Sequence, residues 1–299
     1  MKLTRKSRAS VSTALFLLPA LLIYSIFRLF PAVSSLLYGF TDWNGLSKTF
    51  NFVGFKNYID MFKDNFILLS IKNTIVYCII VTFFQNLLGL FFAIMVDNKA
   101  IKGNNFFRTV LFLPSVLNTS AICFVWAIIL SPVIGIWKPM VEALGIGGLL
   151  GADPLGSGRT ALYYVAAVNI WQFMGYSMII YLAGLQSVPK ELYEAAEVDG
   201  CGRFYKFKHV TLPLIAPSIT INVILTTVGT LKQFEHVFVL TNGGPGNASQ
   251  VIGTAIYKVA FNDTQQFGYG IAVSTVLLIA ISVISAIQLK VLKGRETAF

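Results

Sequence analysis

Apolar residues fall in six long runs along the chain, at 11–38, 74–96, 109–130, 161–182, 214–240 and 270–289, with polar residues collected between them. Each run is near or above the roughly 20 residues that a helix needs to cross a bilayer. The second and third carry no charge, and the fifth is uncharged until Lys232 and Glu235. The first follows a basic start (Lys2, Arg5, Lys6, Arg8) but is far longer than the roughly 7–15 apolar residues of a signal peptide. It predicts an uncleaved span, with Arg28 near its far end, where a long side chain reaches the interface. The pattern predicts a polar connection at 41–73 and a short basic loop at 97–108. It also predicts an exposed Gly- and Pro-rich loop at 131–160 and a turn-rich loop at 241–267 containing TNGGPGN.

The stretch 187–213 differs from the other interruptions because it has helical character. Pro189 suits the first turn of a helix, and Glu191 and Glu194 suit the positive end of its dipole. Leu192, Ala195 and Ala196 fall at i, i+3 and i+4 and predict one small apolar face. Gly200, after Asp199, suits a left-handed stop. A basic segment from Arg203 to His209 follows, and Leu212-Pro213 opens the next run. The expected object is a short, rigid helix over 189–199, shaped to dock into a groove on another protein.

Only 12% of the 299 residues are charged, about half the share of a soluble domain. The fold class is therefore all-α: a polytopic membrane protein with six spans, a 1–10 tail, a transmembrane domain over 11–292 and a 293–299 tail. The net charge of +10 sorts by position rather than pointing to nucleic acid. Four Lys/Arg lie in the N-terminal tail, three between Lys99 and Arg108, four in the 187–213 loop and three at the C-terminus, so 14 of 23 fall on one side of a six-span chain. The positive-inside tendency makes that side, with both termini, cytoplasmic, and makes the protein a multi-pass component of the plasma membrane. Cys78, Cys123 and Cys201 have no metal or disulfide spacing, and His209 and His236 read as structural. The glycines of 131–160 have no following GKS or GKT, so no phosphate cradle is expected, and no catalytic constellation stands out.

Glu194-Ala195-Ala196, then Gly200, then Val210-x-Leu212-Pro213 resembles the EAA loop of ABC-importer permeases, with Val210 where Ile is usual. LKQFEHVFVLTNGGPGNASQVIGTAIY at 231–257, followed by Phe261 and Phe267-Gly268-Tyr269, is similar to the closing third of carbohydrate-type permeases. Within that group it resembles the MalF-like subunit, which pairs with a second, MalG-like permease. Phe27, Phe30 and Pro31, Thr41 to Trp43, Val53 to Tyr58, Leu111 to Pro114 and Asn169 to Trp171 extend the likeness over nearly all of the transmembrane domain. The chain departs at Gly135 to Met140, GIWKPM, where many relatives carry an Asn. It also lacks the extra N-terminal spans and the large periplasmic insertion of the Gram-negative maltose protein, so how this side meets a binding protein stays open.

The resemblance implies a permease subunit of an ATP-driven importer, not an enzyme. The implied partners are a second homologous permease, two ATP-binding cassette subunits and an extracellular solute-binding protein. ATP and Mg would be bound by the ATPase partner, and no cofactor is expected in this chain. Glu191, Glu194, Ala195, Ala196, Asp199, Gly200, Leu212 and Pro213 are the expected ATPase-coupling residues.

A neutral sugar needs amide and hydroxyl partners and flat apolar surface for its ring. Asn169, Phe173 and Tyr176 lie at i, i+4 and i+7 in the fourth run, with Gln172 beside them. Asn222, Thr226, Thr230 and Gln233 lie at i, i+4, i+8 and i+11 in the fifth. In the MalF-like subunit the sugar contacts come from these same two spans. The expected pathway residues are Asn169, Gln172, Phe173, Tyr176, Thr226, Thr230 and Gln233, and the expected substrate is an oligosaccharide. The same residue types also hydrogen-bond helices to one another in membranes, so the stripes keep two readings open. A phosphorylated solute such as glycerol 3-phosphate would call for a basic residue in the pathway. A secondary transporter would call for ionisable groups within the spans.

Overall fold

A computed structural model describes residues 5–98, 103–151, 153–261 and 266–294. Of the basic residues counted above, Lys2, Lys99, Lys102 and Arg295 lie outside them. Among the described residues the regular structure is helical, apart from one isolated bridge between Thr41 and Phe52. In chain order the helices are α1 (Arg5–Tyr24), running through a π turn into α2 (Phe30–Tyr38), then α3 (Lys56–Asp60), α4 (Asn65–Asp97), α5 (Asn104–Val116) and α6 (Thr119–Leu130). They continue with α7 (Trp137–Ala143), α8 (Gly147–Leu150), α9 (Ala161–Ser187), α10 (Lys190–Val198), α11 (Arg203–Lys206) and α12 (Leu212–Leu214). The last four are α13 (Ala216–Leu231), α14 (Glu235–Leu240), α15 (Ile252–Phe261) and α16 (Phe267–Lys293).

Among the described residues, four helical segments are long and apolar enough to cross a membrane: Leu15–Tyr38, α4, α9 and α16. Counting each of two bent pairs as one span, α5 with α6 at 99° and the helical segment Arg203–Leu214 with α13 at 68°, gives six. Several features depart from the sequence expectation, among them α15 inside the expected loop at 241–267 and a break in the fifth run after Leu231. The second span starts at Asn65 rather than Thr74, because Asp64 caps the helix by accepting from Phe66 N–H at 2.8 Å. The polar residues of its first turns are absorbed rather than helix-breaking: the Ser70 and Thr74 hydroxyls donate to carbonyls four residues back. The third run is broken, since Asn118 caps a new helix by accepting from Ala121 N–H at 3.1 Å. The 131–160 segment is not simply an exposed loop. Val141 is fully buried, and Trp137 and Tyr164 donate to the Gly151 and Leu150 carbonyls.

The chain divides into two compact units, Met1–Lys63 with Ile256–Val276, and Asp64–Ala255 with Leu277–Phe299. In the first, no described residue of α1 or α2 is buried, and the 39–62 segment folds into an aromatic cluster. In the second, α9 is the central helix, packed on α4, α5 and α13. One apolar cluster gathers Tyr77, Val81, Cys123, Val165 and Val237; another gathers Ala93, Val96, Met178, Tyr181 and Ile215. Small residues let these helices approach, as expected where lipid gives no hydrophobic drive between them. A Cβ on Gly89 would sit 2.6 Å from Ser177 Cβ, and one on Gly175 would land on the Leu111 carbonyl of α5. Hydrogen bonds add to this: Gln85 donates to Ser177 Oγ at 2.9 Å, Tyr181 to Asn86 Oδ1 at 2.6 Å, and Asn222 to the Ser177 carbonyl at 3.1 Å.

A backbone carbonyl cannot rotate away as a side chain can. Gly175→Val should therefore cost at least the roughly 1–3 kcal/mol typical of overpacking. The expected outcome is a lower thermal midpoint and less monodisperse protein in detergent, read by fluorescence size-exclusion chromatography after a temperature series. An unchanged midpoint would mean that the α5–α9 approach is not needed.

Candidate functional site

Two regions collect the residues that the sequence singled out. The first is a cleft of about 450 Å³ between α9 and the α13–α14 segment. Asn169, Phe173, Tyr176, Thr226, Thr230 and Gln233 all line it. Gln172 does not; it is fully buried behind the wall. The helical spacing holds through Thr230 and then stops, because α13 ends at Leu231 and α14 starts at Glu235. Gln233 thus reaches the cleft from a break in the helix rather than from its face. Thr226 and Thr230 donate to carbonyls of their own helix at 2.8 Å, and Thr230 also donates to Cys78 Sγ at 3.2 Å.

A chain of hydrogen bonds runs through this wall, centred on His236, which itself lines the cleft. His236 Nδ1 lies 2.8 Å from Gln233 Nε2, and His236 Nε2 lies 2.8 Å from Gln172 Oε1. Gln172 Nε2 in turn donates to Thr119 Oγ1 at 3.2 Å, and Asn169 Nδ2 donates to Gln233 Oε1 at 3.5 Å. With the amides so placed, the direction is consistent throughout. Asn169 donates to Gln233, Gln233 to His236 Nδ1, and His236 Nε2–H to Gln172. The imidazole is therefore the neutral Nε2–H tautomer. All four side chains are buried. The network ties α9 to two helix breaks at once, the one before Thr119 and the one around Gln233.

Charge is present at the cleft as well. Lys232 and Glu235 line it, and Glu235 Oε1 accepts a short hydrogen bond from Ser120 of α6. Both were visible in the sequence as the first charges of the fifth run. Their place in the wall was not, because it depends on the helix break that brings residues 232–235 to the cleft. His236 gave no signal of its own; a single histidine beside an acidic residue is ordinary.

The second region is α10 and the turn after it. Pro189 is the N-cap residue rather than the first helical one. At the other end Gly200 has φ +74°. Cys201 N–H donates to the Ala196 carbonyl at 2.9 Å, and Gly200 N–H to the Glu197 carbonyl at 3.0 Å. This is the paired hydrogen bonding of a Schellman stop, which needs the left-handed residue that glycine supplies. The expected apolar face is divided. Ala196 is buried, whereas Leu192 and Ala195 are exposed. Tyr193 turns inward: its Oη meets Thr211 Oγ1 at 3.1 Å and its ring packs against the second apolar cluster, which includes Met178, Tyr181 and Ile215. The outward face is Glu191, Glu194, Ala195 and Val198, the last 89% exposed. Asp199 is also exposed, and Leu212 and Pro213 are half-buried where the next span begins. Lys206 Nζ meets Glu197 Oε2 at 3.0 Å and closes the loop on itself.

The TNGGPGN turn has a definite shape. Asn242, Gly243, Gly246 and Asn247 all have positive φ, and Thr241 Oγ1 lies 2.8 Å from Ser249 Oγ. Asn73 of α4 pins the turn by donating to the Ala248 and Gln250 carbonyls at 3.1 and 3.0 Å. Among the described residues, no group of three or more His, Cys, Asp or Glu could hold a metal ion.

The profile of the binding-protein-dependent transport system inner membrane component family matches residues 85–295. The chain is 35% identical to a probable ABC transporter permease protein, YurN, of Bacillus subtilis over 94% of this chain and 96% of that one. It is 34% identical to the multiple sugar-binding transport system permease protein MsmF of Streptococcus mutans, over 94% and 95%. The fold matches a chain of a bacterial ABC transporter involved in import of the acidic polysaccharide alginate. The TM-score is 0.82 at 22% identity, over 96% of both chains.

Proposed function

The chain belongs to the family of binding-protein-dependent transport system inner membrane components, the permeases of ABC importers, and from this premise we propose how it works. It supplies one half of a translocation pathway for an oligosaccharide, and α10 passes the motion of an ATPase to that pathway. The observation that carries the first part is the cleft, in which stripes from the fourth and fifth runs meet. Sugar hydroxyls both donate and accept, as do the amides of Asn169 and Gln233. Phe173 and Tyr176 offer ring faces for a sugar to stack on. Tyr176 is 44% exposed and Phe173 is partly exposed. Much of the amide capacity is already engaged in the network, so these rings are the freest groups.

The partners follow from the same reading: a second homologous permease opposite this cleft, two ATP-binding cassette subunits that bind ATP and Mg, and an extracellular binding protein that delivers the sugar. Both termini face the cytoplasm, in keeping with the distribution of Lys and Arg. Reconstituted alone, the chain should give no sugar flux. Uptake driven by an ion gradient without ATP would make it a secondary transporter instead.

Tyr176→Ala removes a stacking ring and a hydroxyl, each worth about 0.5–1.5 kcal/mol. Uptake should fall about tenfold, which corresponds to about 1.4 kcal/mol. Gln233→Ala should lower uptake at least several-fold, because it also removes the 2.8 Å hydrogen bond to His236 Nδ1. The measurement is ATP-dependent uptake of labelled oligosaccharides by the complete complex in proteoliposomes, with subunit assembly checked. Normal uptake by both variants would reduce the stripes to interhelical hydrogen bonding.

One observation favours a second reading. Lys232 gives the cleft a cation, and among the described residues it makes no ion pair. An acidic sugar or a phosphorylated solute would use it. Acidic and neutral sugars competed against each other in the same uptake assay separate the two, since only the acidic one should lose affinity in Lys232→Ala.

A further inference from the structure

The segment between the first two spans is a compact aromatic platform with an unpartnered apolar face. Its backbone folds back on itself: Thr41 bridges Phe52, and Val53 N–H donates to the Phe40 carbonyl at 2.8 Å. Asn57 Nδ2 clamps the turn after α2 by donating to the Gly39 and Thr41 carbonyls, both at 2.9 Å. Trp43 stacks on Tyr38 at 4.6 Å and contacts Phe267 at 5.9 Å between ring centroids. Gly268 N–H donates to the Trp43 carbonyl at 2.8 Å. Tyr38 is the last residue of the first span and Phe267 the first residue of the last. The platform is therefore fixed to the ends of two spans, which sets its level at the membrane–water boundary.

Its outer face is sorted. Met61 is buried, and Asn57 and Tyr58 are partly buried. Phe55, Ile59 and Phe62, at i, i+4 and i+7 along one face of α3 and the turn after it, are 67%, 53% and 62% exposed. Phe52, 77% exposed, extends the patch, and Lys56 is exposed beside it. Lys63 is exposed as well, with Asp60 between the two lysines, and an apolar face with such a charged edge suits the boundary between acyl chains and phosphates. Aromatic side chains concentrate at the same depth in membrane proteins.

We propose that Phe52, Phe55, Ile59 and Phe62 form a lipid-facing foot that lies in the membrane–water interface, with Lys56 at the phosphate level, and so holds the outer ends of the first and last spans at a fixed depth. The occupant of this face is phospholipid, because the platform is continuous with span ends that already lie in the bilayer.

The test uses the complete complex in nanodiscs of phosphatidylethanolamine and phosphatidylglycerol, with Cys78, Cys123 and Cys201 replaced. Nitroxides are introduced through Phe55→Cys and Phe62→Cys, and through Lys48→Cys as the water-facing control. Ile59→Cys replaces either Phe variant that fails to assemble. At the platform positions, collision with oxygen should exceed collision with a water-soluble nickel chelate, and the order should reverse at Lys48. A water-like ratio at the platform positions overturns the proposal. So does protection from both reagents, which would mean that a protein partner covers the face.

Discussion

Replacing Glu194 with Lys is expected to abolish coupled transport while leaving the chain in the membrane. Glu194 is exposed on the outward face of α10 with Glu191, Ala195 and Val198, so its reversal disturbs no packing within the chain. What it does disturb is any basic groove into which this face docks. Reversing a charge at a buried interface turns an attraction into a like-charge contact, which costs several kcal/mol. At 1.4 kcal/mol per tenfold, such a cost is enough to strip an ATPase from the complex at ordinary concentrations. The motion to be transmitted also needs a stiff helix. Here the Schellman stop at Gly200, the Tyr193–Thr211 contact and the Lys206–Glu197 pair hold α10 against the start of the fifth span. The variant should insert and fold normally, fail to retain ATPase on affinity purification, and show no stimulated ATP hydrolysis. Full uptake with normal stimulation would remove α10 from the coupling role. Val198→Asp, on the same exposed face, should act in the same direction with a smaller effect, because the face is already acidic.

The spans were legible because a run of about 20 apolar residues has few other uses. The stop at Gly200 was legible too, since a glycine after a short polar helix has a specific backbone role. The breaks were not. Asn118 and Gln233 sit inside apolar runs, and a run shows how much chain is in the membrane, not whether it bends. The division of the α10 face was hidden for a related reason. Leu192, Ala195 and Ala196 share a helical face on paper, but Ala196 is buried and Tyr193 turns inward to meet Thr211 and the apolar cluster that includes Ile215. Thr211 and Ile215 lie up to 22 residues away in the chain, beyond any helical period. The cleft was half legible. Periodicity found Asn169, Phe173, Tyr176, Thr226 and Thr230, but Lys232, Glu235 and His236 depend on the break that brings them to the wall.

His236 itself carries the second large expectation. His236→Ala should destabilise the cleft wall and lower transport more than loss of any single lining group. The side chain touches no described charged partner; it works as a neutral link that accepts from Gln233 and donates to Gln172. Removing it leaves a buried amide donor and a buried amide acceptor without partners, each costing about 1–3 kcal/mol. Gln172 is then free to rotate, and its hold on Thr119 at the 99° break in the third span weakens. The break in the fifth span then keeps only the longer Asn169–Gln233 contact to α9, at 3.5 Å. A purely local cavity would lower the melting temperature alone, whereas a link between two breaks should also change how substrate binding stimulates ATP hydrolysis. The decisive measurement is a double-mutant cycle of His236→Ala and Gln172→Ala, reading thermal stability and sugar-stimulated ATP hydrolysis in the complete complex. Residues in one network couple by about 0.5–3 kcal/mol, so the double variant should lose much less than the two singles together. Additive losses in both readouts would mean that the hydrogen bond at 2.8 Å contributes nothing to holding the two breaks together.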